Sequence, residues 1–194
     1  MRRKLQAFAP AALLGLVFAV QCALGLSGTI AWGGLSRVGL LQGRWWPLLV
    51  SPYLHLGLVH LALNSAALTF FAWTLAGRLR AGAFAALVGL CGLGGAAGYL
   101  LLHFDSRELA VGASDIVFGL WGGYARLAGQ ESSVRRLGER FVVIQALGAI
   151  AANLALIVVL KLTAGTWAAW AGHLGGFLTG LLLIQPLSRK GARP

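Results

Sequence analysis

Six stretches of this chain, at roughly 8–26, 56–76, 81–103, 110–127, 141–160 and 167–187, run for about 20 residues each with few or no charged side chains. A helix rises about 1.5 Å per residue, so each stretch is long enough to cross a hydrocarbon layer of about 30 Å. Backbone amides in lipid must be satisfied within the chain, which leaves helices or a closed barrel, and uninterrupted apolar runs of this length are helical. The expected fold is therefore all-α: a polytopic bundle of six transmembrane helices forming a single domain over 1–194, with one long connection at 27–55.

The same feature excludes whole classes of function. Of 194 residues, 58% are hydrophobic and 11% charged, where a soluble domain carries about 25% charge. A cytosolic enzyme, a disordered tail and a coiled coil all require more. The net charge of +11 would suggest nucleic acid in a soluble chain, but here the cations cluster at the ends of the apolar runs, where they set orientation. Twelve Lys and Arg lie in the N-terminus, the second and fourth connections and the C-terminus, against four (Arg37, Arg44, Arg107 and Lys161) in the first, third and fifth. The positive-inside rule then puts both termini in the cytoplasm. The first run, behind MRRK, is longer than a signal peptide's core of about 7–15 residues and reads as an uncleaved span. The segment GGLSRVGLLQGRWWP has the Gly, Arg and Trp mixture of an interfacial stretch, with Trp32, Trp45, Trp46 and Trp167 as anchors.

No internal repeat marks the paired halves of a transporter. Cys22 and Cys91 lie in apolar runs and read as small buried hydrophobes. His55 and His60 are five residues apart, about 140° around a helix, which does not suit shared metal ligation. No cofactor or metal is expected, and His55 reads as a hydrogen-bonding residue near a helix start. Gln145 and Asn153 in the fifth run read as internal hydrogen-bonding groups.

Ionisable side chains cost about 2.5–3.5 kcal/mol in hydrocarbon, so the few present are candidate functional groups. They are His60 with Asn64 one turn on, Ser114 with Asp115, and His173. Counted from the outward ends of their runs, Ser114, His173 and Asn64 lie about 6–12 Å deep, in one layer. A hydroxyl becomes a nucleophile when a positioned imidazole takes its proton, and donors on one helix face, such as His60 and Asn64, suit a developing oxyanion. Phe118, one turn beyond Ser114, is placed to pack on the imidazole. Gly172, Gly176 and Gly180 form a stripe that lets helix backbones approach, and Gly112, Gly119, Gly122 and Gly123 offer the same on the fourth run. Taken singly, each polar residue has an ordinary reading: a serine bonded to the carbonyl one turn back, a buried histidine, interhelical glue.

Together, GRWWPLLVSPYLHLGLVHLALN, VGASDIVFGLWGGYARL and AGHLGGFLTGLLL resemble the three signature blocks of the rhomboid intramembrane serine proteases, in order, on the second, fourth and sixth runs. The blocks cover about a quarter of the chain. The resemblance implies a Ser–His dyad without a third acid, open to water from the outer side and acting on transmembrane segments of other membrane proteins. Ser114 would be the nucleophile, His173 the general base, and His60, Asn64 and the backbone N–H of Ser114 the oxyanion hole. Phe118 falls where the family stacks an aromatic ring on the histidine, and Gly112 belongs to the G-x-S block that supports the site.

The chain departs from the family pattern in two places. Asp115 stands where the family has the second glycine of G-x-S-G, and Trp46-Pro47 replaces a Trp-Arg pair, with Arg44 upstream. Asp115 has three possible fates: facing an aqueous cavity, pairing with Arg107 or Lys161, or disabling the site. A rhomboid-like protein that binds membrane helices without cutting them is therefore the alternative reading, and a small transporter or channel is a distant third. Short tails without appended domains point to a bacterial inner membrane.

Overall fold

The computed structural model describes residues 2–102, 108–129, 133–164 and 169–188. The described residues are mostly helical: α1 (Arg2–Leu24), α2 (Leu26–Gly33), α3 (Arg37–Leu41), α4 (Pro47–Val50), α5 (Leu58–Leu75), α6 (Ala81–Leu102), α7 (Ser114–Leu127), α8 (Arg140–Ala164) and α9 (Trp170–Leu187). A 3-10 turn at Ser51–Tyr53 follows α4. The long first connection is thus a chain of short helices, entered at Gly25, whose φ of 94° suits a residue without a Cβ.

Among the described residues four helices are long and apolar enough to cross a membrane, over Ala7–Leu24, Leu58–Leu75, Ala81–Leu102 and Arg140–Leu162. The six spans expected from sequence are therefore only partly matched by this measure. The fourth apolar run starts at 110 in the sequence, but α7 begins at Ser114 and has 14 residues, a length of about 21 Å. Its first residues are drawn out of the helix instead: Leu35 and Ala110 exchange backbone hydrogen bonds of 2.9 and 2.8 Å, and the Gly112 amide donates to Ser51 O at 3.0 Å.

Alpha7 sits at the centre, packed by α5, α6, α8 and α9. The largest core cluster joins Leu14 of α1, Leu68 and Leu75 of α5, Leu87 and Cys91 of α6, Leu120 of α7 and Ile184 of α9. A helix enclosed by protein need not match the full lipid thickness, which is why a short and strongly buried α7 is tolerated. The peripheral helices turn apolar side chains outward, among them Leu63, Phe70, Leu147, Ile150 and Leu154. Cys22, read from sequence as buried, is exposed on α1, whereas Cys91 is buried as expected. In a membrane protein an apolar run has lipid on one side, so an apolar residue need not face the core.

Glycines bring α6, α7 and α9 into backbone contact. A Cβ on Gly180 would collide with Gly119 O, one on Gly122 with Phe177 O, and one on Gly98 with Ala171 O. The expected stripe of Gly172, Gly176 and Gly180 does face α7. At the other end of α7, the buried Arg126 closes the bundle, donating to Arg135 O at 2.8 Å, Leu181 O at 3.0 Å and Gln185 Oε1 at 2.8 Å. The sequence count assigns Arg126 to the fourth connection, but it lies inside the last turn of α7.

Candidate active site

Ser114 is the first residue of α7 and His173 the fourth of α9, so both stand at helix beginnings. The sequence places Ser114 inside its apolar run; in the structure it stands at the helix N-terminus. The first backbone bond there runs from Val117 N–H to Ala113 O, so the amides of Ser114, Asp115 and Ile116 have no helical acceptor. They add the positive end of the helix dipole to the site.

Ser114 Oγ and His173 Nε2 are 2.8 Å apart. The imidazole is 4% exposed and lies parallel to the Phe118 ring, with centroids 4.5 Å apart and an interplanar angle of 3°. Its other nitrogen, Nδ1, is 2.7 Å from Asn153 Oδ1, and Asn153 Nδ2 donates to Trp170 O at 3.1 Å. A hydroxyl on an imidazole, the imidazole held against a ring, and free helix-terminal amides beside the hydroxyl make up an arrangement capable of acyl transfer.

His60 and Asn64 come to the same place from α5. The link is Gly112, two residues before Ser114, whose φ of 117° belongs to the left-handed region. A Cβ there would lie 2.7 Å from His60 Nε2 and 3.5 Å from Asn64 Nδ2, so both side chains are packed against the bare backbone that leads into the serine. Leu56 N–H points at His60 Nδ1 at 3.4 Å, which leaves the His60 proton on Nε2, the nitrogen facing Gly112. Gly112, which the sequence places on the fourth helical run with Gly119, Gly122 and Gly123, precedes α7 instead.

Behind His60 lies His55, buried completely, with ring centroids 5.0 Å apart. Its backbone is clamped by the Gln21 carboxamide of α1, which donates to His55 O at 2.9 Å and accepts from His55 N–H at 3.0 Å. Burial, and then the neighbouring His60, push the His55 imidazole down to about 4, so it is neutral at physiological pH with Nδ1 3.2 Å from Tyr53 O. Among the described residues no group of three or more His, Cys, Asp or Glu could hold a metal.

The Asp115 carboxyl lies between α6 and α9. A Cβ on Gly95 would be 2.5 Å from Oδ2, and one on Gly172 would be 2.6 Å from Oδ1. Among the described residues no ion pair reaches it, Lys161 included, and Arg107 lies outside them, as do His103 and Trp167. Of the remaining Trp anchors, Trp32 and Trp45 are exposed, and Trp46 donates to Trp32 O at 3.0 Å.

The residue beside His173 that the sequence reading did not connect to it is Asn153. A signal existed: seven residues in from the outward end of its apolar run, at about 10 Å, it shares the layer of the other polar groups. What the sequence lacked was the rotation of α8.

Comparison with known proteins bears on what this cluster is. Residues 42–190 match the family described as the Rhomboid domain. The chain is 30% identical to rhomboid protease GluP of Bacillus subtilis over 59% of this chain and 22% of that protein. It is 29% identical to the rhomboid relative YdcA of the same bacterium over 79% of this chain and 75% of YdcA. RHOMBOID-like protein 7 of Arabidopsis thaliana is 30% identical over 82% of this chain and 48% of its own length. The chain thus spans about a fifth of GluP and about half of the plant protein. On the match over residues 42–190, this integral membrane protein belongs to the rhomboid family.

Proposed function

We propose that the chain is an intramembrane serine endopeptidase that cleaves transmembrane segments of other membrane proteins. The observation that carries this reading is the 2.8 Å approach of Ser114 Oγ to His173 Nε2, with the imidazole stacked on Phe118. In the acylation step the Ser114 proton passes to Nε2, Oγ bonds to the scissile carbonyl carbon, and the carbonyl π pair moves onto oxygen. His60 Nε2–H, the Asn64 carboxamide and the Ser114 amide supply the donors for that oxyanion. The imidazolium then protonates the leaving amine, and a water activated by the same base hydrolyses the acyl-enzyme.

An intact substrate helix hides its carbonyls in its own hydrogen bonds. Segments with small, weakly helical residues near the cut are therefore the preferred substrates. In this reading the domain crosses the bilayer six times, with α7 as a short, protein-enclosed crossing and the 18-residue α9 as the sixth, both termini cytoplasmic and the site opening outward. The distribution of Lys and Arg supports that orientation. The two Bacillus subtilis relatives are consistent with a bacterial cell membrane.

A second reading, a helix-binding rhomboid without activity, is favoured by the carboxyl of Asp115 wedged between Gly95 and Gly172. Incubation with a transmembrane substrate in liposomes separates the two. Product that Ser114→Ala and His173→Ala each reduce by about 10³-fold or more supports the protease. Equal product from the variants rejects it, and activity that emerges only in Asp115→Gly supports the inactive form.

A further inference from the structure

We propose that Asn153 is a positioning residue that fixes the tautomer and orientation of His173, so that the Ser–His pair is a serine–histidine–asparagine triad whose third member comes from α8. The proposal rests on the reading of Ser114 and His173 as nucleophile and base.

Asn153 has one partner that can only accept, the backbone carbonyl of Trp170, 3.1 Å from Nδ2. The amide nitrogen must therefore face Trp170, and Oδ1 must face His173 Nδ1 at 2.7 Å. Oxygen Oδ1 has no proton, so the proton of a neutral imidazole sits on Nδ1. That leaves the lone pair on Nε2, the nitrogen 2.8 Å from Ser114 Oγ. In the opposite tautomer Nε2–H would donate to the serine and could not take its proton, so one hydrogen bond selects the state competent as a base.

Two further features fit the role. Phe118 holds the ring plane from one side, but a 180° turn about Cβ–Cγ would leave the ring in that plane with Nδ1 and Nε2 exchanged for ring carbons; the Asn153 bond to Nδ1 opposes that flip. A carboxylate in this position would place a charge in an apolar run at a cost of about 2.5–3.5 kcal/mol, whereas a carboxamide supplies the same acceptor without charge. Apart from Gln145, which accepts from Trp121 Nε1 at 2.7 Å, α8 meets its neighbours mainly through Ala149 and other small or aliphatic residues against Phe118 and Phe177. A carboxamide that reaches both His173 and the start of α9 is thus set apart from the general packing of its helix.

The test combines kinetics with a readout independent of turnover. Asn153→Ala should lower kcat about tenfold or more with KM within about twofold. Asn153→Asp should regain most of kcat and move the acid limb of the pH–rate profile upward by about one unit, because a carboxylate stabilises the imidazolium. A purely structural asparagine would lower the folded fraction without moving that limb, and unchanged kcat in Asn153→Ala would overturn the proposal. Nitrogen-15 histidine spectra of the full chain in micelles, with His173 assigned by loss of its signals in His173→Gln, should show the Nδ1–H tautomer in the wild type and a mixture in Asn153→Ala. An Nε2–H wild type would overturn the proposal whether or not the chain cleaves anything. Failure of Ser114→Ala to abolish cleavage would instead overturn the protease reading and leave the tautomer result standing on its own.

Discussion

At the scale of single residues, the site depends as much on what is missing as on what is present. Gly112 is the clearest case: its φ of 117° strains any L side chain, and a Cβ would press on the His60 imidazole. Gly112→Ala should cost about 1–3 kcal/mol of stability. It should also lower kcat/KM by about 10²-fold, the order seen when one oxyanion donor is lost. Thermal unfolding and cleavage rates measured on the same preparation check both, and an active, stable variant would mean that His60 does not serve the oxyanion. Ser114, His173, His60, Asn64 and Phe118 were legible in the sequence because polar groups are scarce in apolar runs and because their blocks resemble those of a known family. Asn153 was legible as a hydrogen-bonding group but not as the partner of His173. An apolar helix such as α8 carries little periodicity to say which face meets protein, and the same lack misplaced Cys22.

Among the elements, α7 and α9 decide the geometry, since they carry the hydroxyl and the imidazole and touch backbone to backbone. A Cβ on Gly180 would run into Gly119 O, whereas Gly89 of α6 has nothing within 4 Å of its Cβ position. Gly180→Ala should therefore destabilise the fold by about 1–3 kcal/mol through overpacking, and Gly89→Ala should leave it unchanged or slightly firmer. Equilibrium unfolding in mixed micelles distinguishes them; equal midpoints would mean that α7 and α9 are not in close contact. The stripe on α9 was readable because a four-residue glycine spacing has a direct mechanical meaning. The start of α7 was not. Residues 110–113 are as apolar as the helix that follows, and only their backbone bonds to Leu35 and Ser51 pull them out of it.

On the scale of the whole molecule, the fold class and the membrane setting followed from charge-free runs, while the number of crossings needs a measurement. Alpha7 is enclosed by its neighbours, so its 14 residues need not match the length of a lipid-facing crossing. Reporter fusions active only on the outer side should be active when joined in the connection between α6 and α7, and inactive between α7 and α8. Equal activity at both points would mean that α7 does not cross. Activation of Ser114 by His173 can be read by reacting the folded protein with a fluorophosphonate and mapping the adduct by mass spectrometry. One adduct is expected, on Ser114, and it should disappear in His173→Ala. A folded wild type with no Ser114 adduct, or an adduct that persists undiminished without His173, would contradict it.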